Sequence, residues 1–253
     1  MIGILITLCS KNQDWETIGD TDFISNFLDA FMFTISGKHK YKFYLGYDEN
    51  DDFFVKNIHN LKHRVKQAEV LVLPQKCNGN PCKAWNILLE KAYNDGCEYF
   101  YQCGSDILHQ VNNWDDYFVK IMKKNKNDAI AGGVDLRYWC ERAVRDQSPI
   151  LENVFFCRKH YERFGFLFPP EVKSWFSDDL LTKIYRNVDK VFVCPNIKFN
   201  NCNRVGGNNE KSRYVPPQHE KISKNWYIHA NEYTKKGFPE IPIQTYNKKP
   251  IYN

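Results

Sequence analysis

The sequence predicts an α/β protein built on a mostly parallel β-sheet flanked by helices, with an irregular C-terminal tail. Short apolar runs rich in β-branched and aromatic residues alternate with longer segments whose apolar residues recur at helical spacing. Several of these runs stop at small or acidic residues, which is typical of strands in an open α/β sheet. From residue 200 onward the chain is polar, with Gly206-Gly207 and scattered prolines, which favours a tail over a second domain.

The first half of the chain alternates strands with helices. Strands are predicted at 2–8, 41–48, 69–74, 98–102 and 128–136, and helices at about 22–33, 52–67, 81–93 and from near 113. The third of these helices has the clearest bounds. Asn80 followed by Pro81 is typical of an N-cap and a first helical residue, and Asp95-Gly96 supplies the end.

The second half is less regular. Strands are predicted at 153–157 and 188–195, and a short helix at 158–165. The segment SWFSDDLLTKIYR, residues 174–186, predicts an amphipathic helix with two adjacent acids, Asp178 and Asp179, at its start.

Composition limits the classes of function. The 253 residues are 43% hydrophobic and 15% aromatic, which is enough for one sizeable core. The net charge is +5, but the basic residues are scattered among 30 acidic ones, and no basic run is interleaved with aromatic residues. We therefore expect phosphorylated small molecules as partners, and we do not expect nucleic acid.

The N-terminus and the cysteines indicate where the protein works. The apolar run MIGILITLCS is too short to span a bilayer and lacks the basic flank of a signal peptide, so it is predicted to be the first strand and no transmembrane segment is expected. Nine cysteines occur without a C-x-x-C pair, which predicts free thiols in a reducing compartment, the cytoplasm.

The most informative segment is CEYFYQCGSDIL, residues 97–108. It is an aromatic strand that ends in the small and acidic residues Gly104, Ser105 and Asp106. Such an ending places a carboxylate at the carboxyl end of a central strand, where open α/β sheets bind ligands.

Five segments in this order resemble a glycosyltransferase of the GT-A (Rossmann-like) fold, similar to members seen in large DNA viruses and protists. They are the first strand, the strand ending at Asp48, NGNPCKAWN (78–86), the strand ending in GSD (104–106), and FGFLFPPEVKSWFSDDLLTKIY (164–185). The resemblance covers about 2–214. It implies one domain over 1–253, with a nucleotide-binding half (about 1–137), an acceptor half (about 138–199) and a wrapping tail (about 200–253); a viral member would act in the host cytoplasm.

In that family a D-x-D motif closes the fourth strand, and its last carboxylate binds Mn2+ or Mg2+ that bridges the donor diphosphate. Asp106 matches the last position, whereas Gly104 replaces the first acid. A hard cation takes oxygen ligands from water and phosphate, so one carboxylate can suffice. The alternative is that Asp106 forms a turn and caps the following helix. The tail histidines His219 and His229 are further candidate metal ligands, or else structural.

The resemblance also implies a site for the nucleotide donor. Asp48 would meet the ribose, although it could equally belong to a solvated turn with Glu49, Asp51 and Asp52. Lys83 would neutralise phosphate or else be a surface lysine, and free amides at the start of its helix would attract an anion. Arg213 would hold the diphosphate or else pin the tail. The predicted donor-binding residues are Thr7, Cys9, Ser10, Asp48, Asn80, Lys83, Asn86, Ser105 and Arg213.

Asp178 and Asp179 are the catalytic candidates. An inverting transferase needs a carboxylate to take the proton of the acceptor hydroxyl, and a neighbouring carboxylate raises the affinity for that proton. Asp179 is the predicted base. If the anomeric configuration is retained, the same acids would position substrate. The alternative is that Ser177 is an N-cap and the acids only complement the helix dipole.

The expected function is transfer of a sugar from a nucleotide diphosphate, a UDP-sugar, to a hydroxyl of a glycan or protein. The first alternative is a degenerate module of the same fold that binds nucleotide or sugar without turnover, suggested by Gly104. The second is a sugar-1-phosphate nucleotidyltransferase. That class needs a glycine-rich basic loop after the first strand, and LCSKNQDW has no glycine there.

Overall fold

A computed structural model describes residues 1–77, 79–136, 149–174, 176–202 and 221–243, the side chains of 221–225 excepted. The strands are β1 (Ile2–Leu8), β2 (Tyr41–Asp48), β3 (Ala68–Leu73), β4 (Tyr99–Cys103), β5 (Ile107–His109), β6 (Ile130–Asp135), β7 (Val154–Cys157) and β8 (Val191–Asn201). The α-helices are α1 (Asp29–Thr34), α2 (Asp52–Arg64), α3 (Pro81–Asn94), α4 (Trp114–Lys124), α5 (Arg158–Phe164), α6 (Ser177–Arg186) and α7 (Lys221–Gly237). A π-helix, Phe23–Leu28, leads into α1.

The eight strands form one sheet in the order β3-β2-β1-β4-β7-β6-β8-β5. The first four are mutually parallel, as are β6 and β8, while β7 is antiparallel to both its neighbours and β5 is antiparallel to β8. The sheet is therefore mixed but mostly parallel, which confirms the predicted α/β class. Because β1, β2, β3 and β4 are parallel, their carboxyl ends meet at one edge.

Helices cover both faces of the sheet. Alternate residues of β1 point to opposite sides, so Ile4 and Ile6 pack on one face and Leu5 packs on the other. The first face is covered by α1, α2 and α4, and the second by α3, α5, α6 and α7. Every residue of β1 is buried, as expected for a strand in the middle of a three-layer α/β fold.

Three elements differ from the sequence prediction. The strand β5 has three residues, too few to show a pattern. The strand β8 continues to Asn201, beyond the predicted end at Pro195. The pairing of β6 with β8 shifts register between Gly132 and Val134, so Pro195 lies in a bulge of β8. Proline has no N–H to donate to a neighbouring strand, and none is required of it in a bulge. The polar stretch after residue 200 contains α7, which packs on the core through buried Ala230, as does Phe238 directly after the helix.

Within the described ranges, none of the helices combines the length and the apolar composition that a membrane-spanning segment needs. The eight cysteines that the structure describes form no disulfide with one another.

His109 is a buried histidine inside an aromatic cluster. Its ring stacks on Trp114 at 4.4 Å and 5° and contacts Tyr101 and Phe27. It is only 4% exposed, and neither ring nitrogen has a hydrogen-bond partner among the described residues. Burial lowers the pKa of His109 to about 3, opposed by the charge of Asp115. The folded protein therefore holds this ring neutral.

The substitution His109→Phe should remove part of the acid sensitivity of folding. The pKa is lower in the folded state than in the unfolded state, so His109 costs stability as the pH falls below about 6.5, by about 2 kcal/mol at pH 5. Urea unfolding at pH 7.5 and pH 5 should show a difference that is about 2 kcal/mol smaller in the variant. The exposed His59 on α2 gives the control His59→Phe, which should keep the wild-type difference. An unchanged pH dependence in His109→Phe would contradict this expectation.

Candidate active site

Several of the predicted donor and metal residues lie at the carboxyl ends of neighbouring parallel strands. Thr7 of β1 lies opposite Gly46 of β2, and Ile6 lies opposite Cys103 of β4. Cys9, which follows β1, Asp48, which ends β2, and the GSD turn, which follows β4, therefore share the carboxyl edge of neighbouring parallel strands.

The GSD turn, Gly104–Asp106, is held from two sides. The Gly104 N–H donates to Asn153 Oδ1 at 3.2 Å, and the Asp106 carbonyl accepts from the Cys202 N–H at 2.9 Å. Ser105 and Asp106 are both buried, at 3% and 8% exposure. Asn153 and Cys202 were not predicted from the sequence, because their strands adjoin β4 and β5 only in the folded sheet.

The structure gives a reason for glycine at position 104. A Cβ atom there would lie 2.5 Å from Asp106 Oδ1, which is closer than real Cβ contacts come. An acid at this position would therefore displace the carboxylate of Asp106. The first acid of the D-x-D pattern is incompatible with the way this turn places Asp106.

The alternative that Asp106 caps the following helix is wrong. The element that follows is the strand β5, and the next helix, α4, has Asn113 as its N-cap residue. Asp106 is therefore at a strand-to-strand turn.

In the acidic turn after β2, Asp51 and Glu49 have structural roles, and Asp48 differs from them. Asp51 caps α2 by accepting from the Phe54 N–H at 3.2 Å, and it also accepts from the Ser10 N–H at 2.8 Å and the Ser10 Oγ at 2.6 Å. Glu49 accepts from the Gln75 N–H at 2.8 Å. Burial raises the pKa of Asp48, and the charges of Asp51 and Glu49 add to that rise. Ser10 thus orders the edge through Asp51.

The start of α3 has the predicted cap but not the predicted anion site. Asn80 Oδ1 accepts from the Lys83 N–H at 3.0 Å, which confirms Asn80 as the N-cap. The Cys82 N–H donates to the Lys173 carbonyl at 3.1 Å, the Ala84 N–H donates to the Asn80 carbonyl at 3.2 Å, and Pro81 has no N–H. The expectation of free amides for an anion is wrong, because these amides already have acceptors.

Lys83 and Asp48 both affect the pKa of the Cys77 thiol. Burial raises the pKa of the Cys77 thiol, the Lys83 charge lowers it, and the Asp48 charge raises it. Both charges therefore act on one buried thiol next to the carboxyl edge. Lys83 is partly buried, unlike an ordinary surface lysine.

The amide of Asn86 is directed at the chain between α5 and α6. Its Oδ1 accepts from the Leu167 and Phe168 N–H groups at 2.8 and 2.9 Å, and its Nδ2 donates to the Phe168 carbonyl at 2.8 Å. The side chains of Asn80 and Asn86 both form hydrogen bonds within the fold. Neither residue is therefore assigned to the donor site.

The acidic pair lies in the first turn of α6. The N-cap is Phe176, in the left-handed region at φ 67°, and Ser177 is the first helical residue, so Ser177 is not the N-cap. The Asp179 N–H donates to Asp178 Oδ1 at 3.2 Å. A left-handed backbone at a bulky residue costs roughly 1 kcal/mol, and it occurs here two residues before Asp178.

The tail residues are only partly described. Arg213 and His219 lie outside the described residues. His229 lies on α7, with its Nδ1 3.4 Å from Glu232 Oε2. In the described part of the chain, no three His, Cys, Asp or Glu side chains converge as a metal site.

Comparison with known proteins finds structures with a similar fold. No protein-family model and no curated protein matches the sequence. Among solved structures, S. aureus TarS 1-349 in complex with UDP-GlcNAc is 16% identical with a TM-score of 0.59, covering 96% of this chain and 68% of that one. The mannosyltransferase PcManGT from Pyrobaculum calidifontis, in complex with GDP-Man and Mn2+, is 13% identical with a TM-score of 0.59, covering 92% and 69%.

A third neighbour is GalNAc-T7 with UDP, GalNAc and Mn2+, 13% identical with a TM-score of 0.62, covering 93% of this chain and 50% of that one. This chain spans only 36% of the TarS chain in another crystal structure, so it corresponds to part of some neighbours. At these identities the likeness establishes the fold alone. The chain has the α/β fold of the GT-A glycosyltransferases.

Proposed function

We propose that this chain is a glycosyltransferase that moves a sugar from a nucleotide diphosphate, a UDP-sugar, to a hydroxyl of a glycan or protein. The observation that carries the proposal is the buried carboxylate of Asp106 at the sheet edge it shares with Thr7, Cys9 and Asp48. Neighbours of the same fold hold UDP-GlcNAc, GDP-Man or UDP, and two hold Mn2+.

The donor occupies the carboxyl edge in this proposal. Thr7 and Cys9 line the base pocket, Asp48 accepts hydrogen bonds from the ribose hydroxyls, and Ser105 lies beside the diphosphate. Lys83 neutralises phosphate charge near Asp48. Ser10 acts indirectly, since it holds Asp51. Arg213 remains a candidate for the diphosphate.

The residues fit a divalent ion that binds together with the phosphates of the donor. Asp106 supplies one carboxylate, and the described chain builds no cage of three ligands around it. Such a site suits Mn2+ or Mg2+, which keep waters and take further oxygens from phosphates. When bound, the ion would neutralise the charge on the departing diphosphate. His219 and His229 remain candidate additional ligands.

The acceptor side belongs to α6. If the configuration inverts, Asp179 takes the proton from the acceptor hydroxyl as its oxygen attacks the anomeric carbon, and Asp178 keeps that proton affinity high. If the configuration is retained, the two carboxylates orient the acceptor, and the leaving phosphate takes the proton. Glycine at position 104 leaves room for the Asp106 carboxylate in its present place, which supports a working site over a degenerate binding module.

Asp106→Asn tests the metal site. The amide is a weaker ligand for a hard cation than the carboxylate, so Mn2+-dependent UDP affinity should fall more than about 100-fold. Titration calorimetry with UDP, with and without Mn2+, measures this change. Unchanged affinity would place the donor elsewhere.

Gly104→Ala tests whether the place of the Asp106 carboxylate matters. The added Cβ meets the end of a side chain rather than backbone, so the fold should persist while the carboxylate moves. Mn2+-dependent UDP affinity should fall about 10- to 100-fold with a nearly unchanged melting temperature. Gly19→Ala is the control, since its Cβ would make an ordinary contact at 3.4 Å. Full UDP affinity in Gly104→Ala would mean that the carboxylate can move without loss.

Asp179→Asn tests the base. Transfer should slow by about 10²- to 10⁴-fold while UDP affinity is kept, because only proton removal is lost. Asp52→Asn removes a first-turn carboxylate from α2 and controls for the helix-dipole effect. Steady-state transfer with a panel of UDP-sugars measures the rate. An active Asp179→Asn variant would shift the role to Asp178 or to a retaining route.

A further inference from the structure

The connecting loop, residues 165–174 and 176 between α5 and α6, is fastened to α3. Asn86 provides the central contact, with three hydrogen bonds of 2.8–2.9 Å to the backbone of Leu167 and Phe168. This one amide serves two donors and one acceptor of the loop. A side chain used so fully is part of how the loop is built.

Further contacts fix the same loop to the same surroundings. The Cys82 N–H at the start of α3 donates to the Lys173 carbonyl at 3.1 Å, and the rings of Trp85 and Phe168 pack at 5.7 Å. The His160 ring lies between the loop and α6, with Nε2 3.3 Å from the Leu167 carbonyl and Nδ1 2.8 Å from Tyr185 Oη. The loop is therefore anchored at both ends of its path along α3.

The anchored loop leads directly to the acidic pair. A turn closes from the Val172 N–H to the Pro169 carbonyl at 2.9 Å, and the Leu180 N–H of α6 donates to the Phe176 carbonyl at 2.9 Å. Leu167, Phe168 and Val172 are buried, with at most 3% exposure. Other loop residues, Gly165, Pro170, Glu171 and Lys173, are exposed. The Ser177 N–H donates to the Ser174 carbonyl at 3.3 Å, so the end of the anchored loop is tied to the first turn of α6.

We propose that Asn86 is a positioning residue that sets the acidic pair, Asp178 and Asp179, relative to the donor edge. The proposal rests on the proposed function, in which one of these acids acts on the acceptor. Proton transfer requires hydrogen-bond reach, and a displacement of about 1 Å far from the chemistry can cost about 100-fold in rate. Asn86 thereby links α3, beside the donor, to α6, beside the acceptor.

Asn86→Ala should lower kcat for transfer about 10- to 100-fold while leaving the donor KM and the UDP affinity unchanged. Asn86→Asp keeps an oxygen for the two loop amides but loses the donor to the Phe168 carbonyl, so its kcat should lie between those of wild type and Asn86→Ala. The control is Asn187→Ala. Asn187 Nδ2 donates to Asn231 Oδ1 at 2.8 Å and to Thr234 Oγ1 at 3.0 Å, at the far end of α6, so kcat should hold there.

Hydrogen exchange provides a readout that does not need turnover. In Asn86→Ala, and to a lesser degree in Asn86→Asp, the amides of 167–168 and of the first turn of α6 should exchange faster than in wild type and in Asn187→Ala. Faster exchange at 167–168 alone, with the first turn of α6 unchanged, would overturn the proposal. So would an equal loss of kcat in Asn187→Ala, or a loss of UDP affinity in Asn86→Ala.

These outcomes separate the inference from the function it rests on. If the wild-type protein neither binds UDP with Mn2+ nor transfers sugar, the proposed function fails, and exchange in the first turn of α6 still decides whether Asn86 positions the acids. If wild type is active and Asn86→Ala keeps its kcat, the function stands and the positioning role fails.

Discussion

The structure depends on the parallel hydrogen bonding of β1 with β2 on one side and β4 on the other. This pairing places β1 in the interior of the sheet, where helices bury both of its faces, and it makes three chain segments leave the sheet at the same edge. Polar residues at those exits become neighbours, although they are distant in sequence. The proposed donor site is a consequence of strand direction, with residue type deciding what the edge can bind.

Many polar residues at this edge form hydrogen bonds that stabilise the fold itself. Asp51 and Ser10 tie β1 to α2, and Asn80 caps α3. Gly104 is small because Asp106 is turned back over it. Asp48 and Asp106 are assigned to the donor and the metal in the proposed function because of their place at the carboxyl edge of neighbouring parallel strands.

The sequence predicts much of this fold because its signals are local. Tyr41–Asp48 is found as a strand and Pro81 as the first residue of a helix, since alternation and an Asn-Pro cap need no distant partner. Local sequence signals do not predict features that depend on contacts between residues distant in sequence. The bulge that lets β8 pass Pro195 depends on β6, and the Asn86 contact joins residues 82 apart in sequence. Likewise α7 lies in a polar stretch of sequence, and only the folded structure shows that Ala230 packs on the core.

The fastening of the α5–α6 loop to α3 has a mechanical consequence. Because Asn86 and Cys82 both bind the backbone of that loop, α3 is coupled to the connection that leads to α6. In the proposed function, the elements beside the donor and those beside the acceptor should therefore move together at this contact. Any opening that admits or releases substrate must then come from segments that this contact does not restrain.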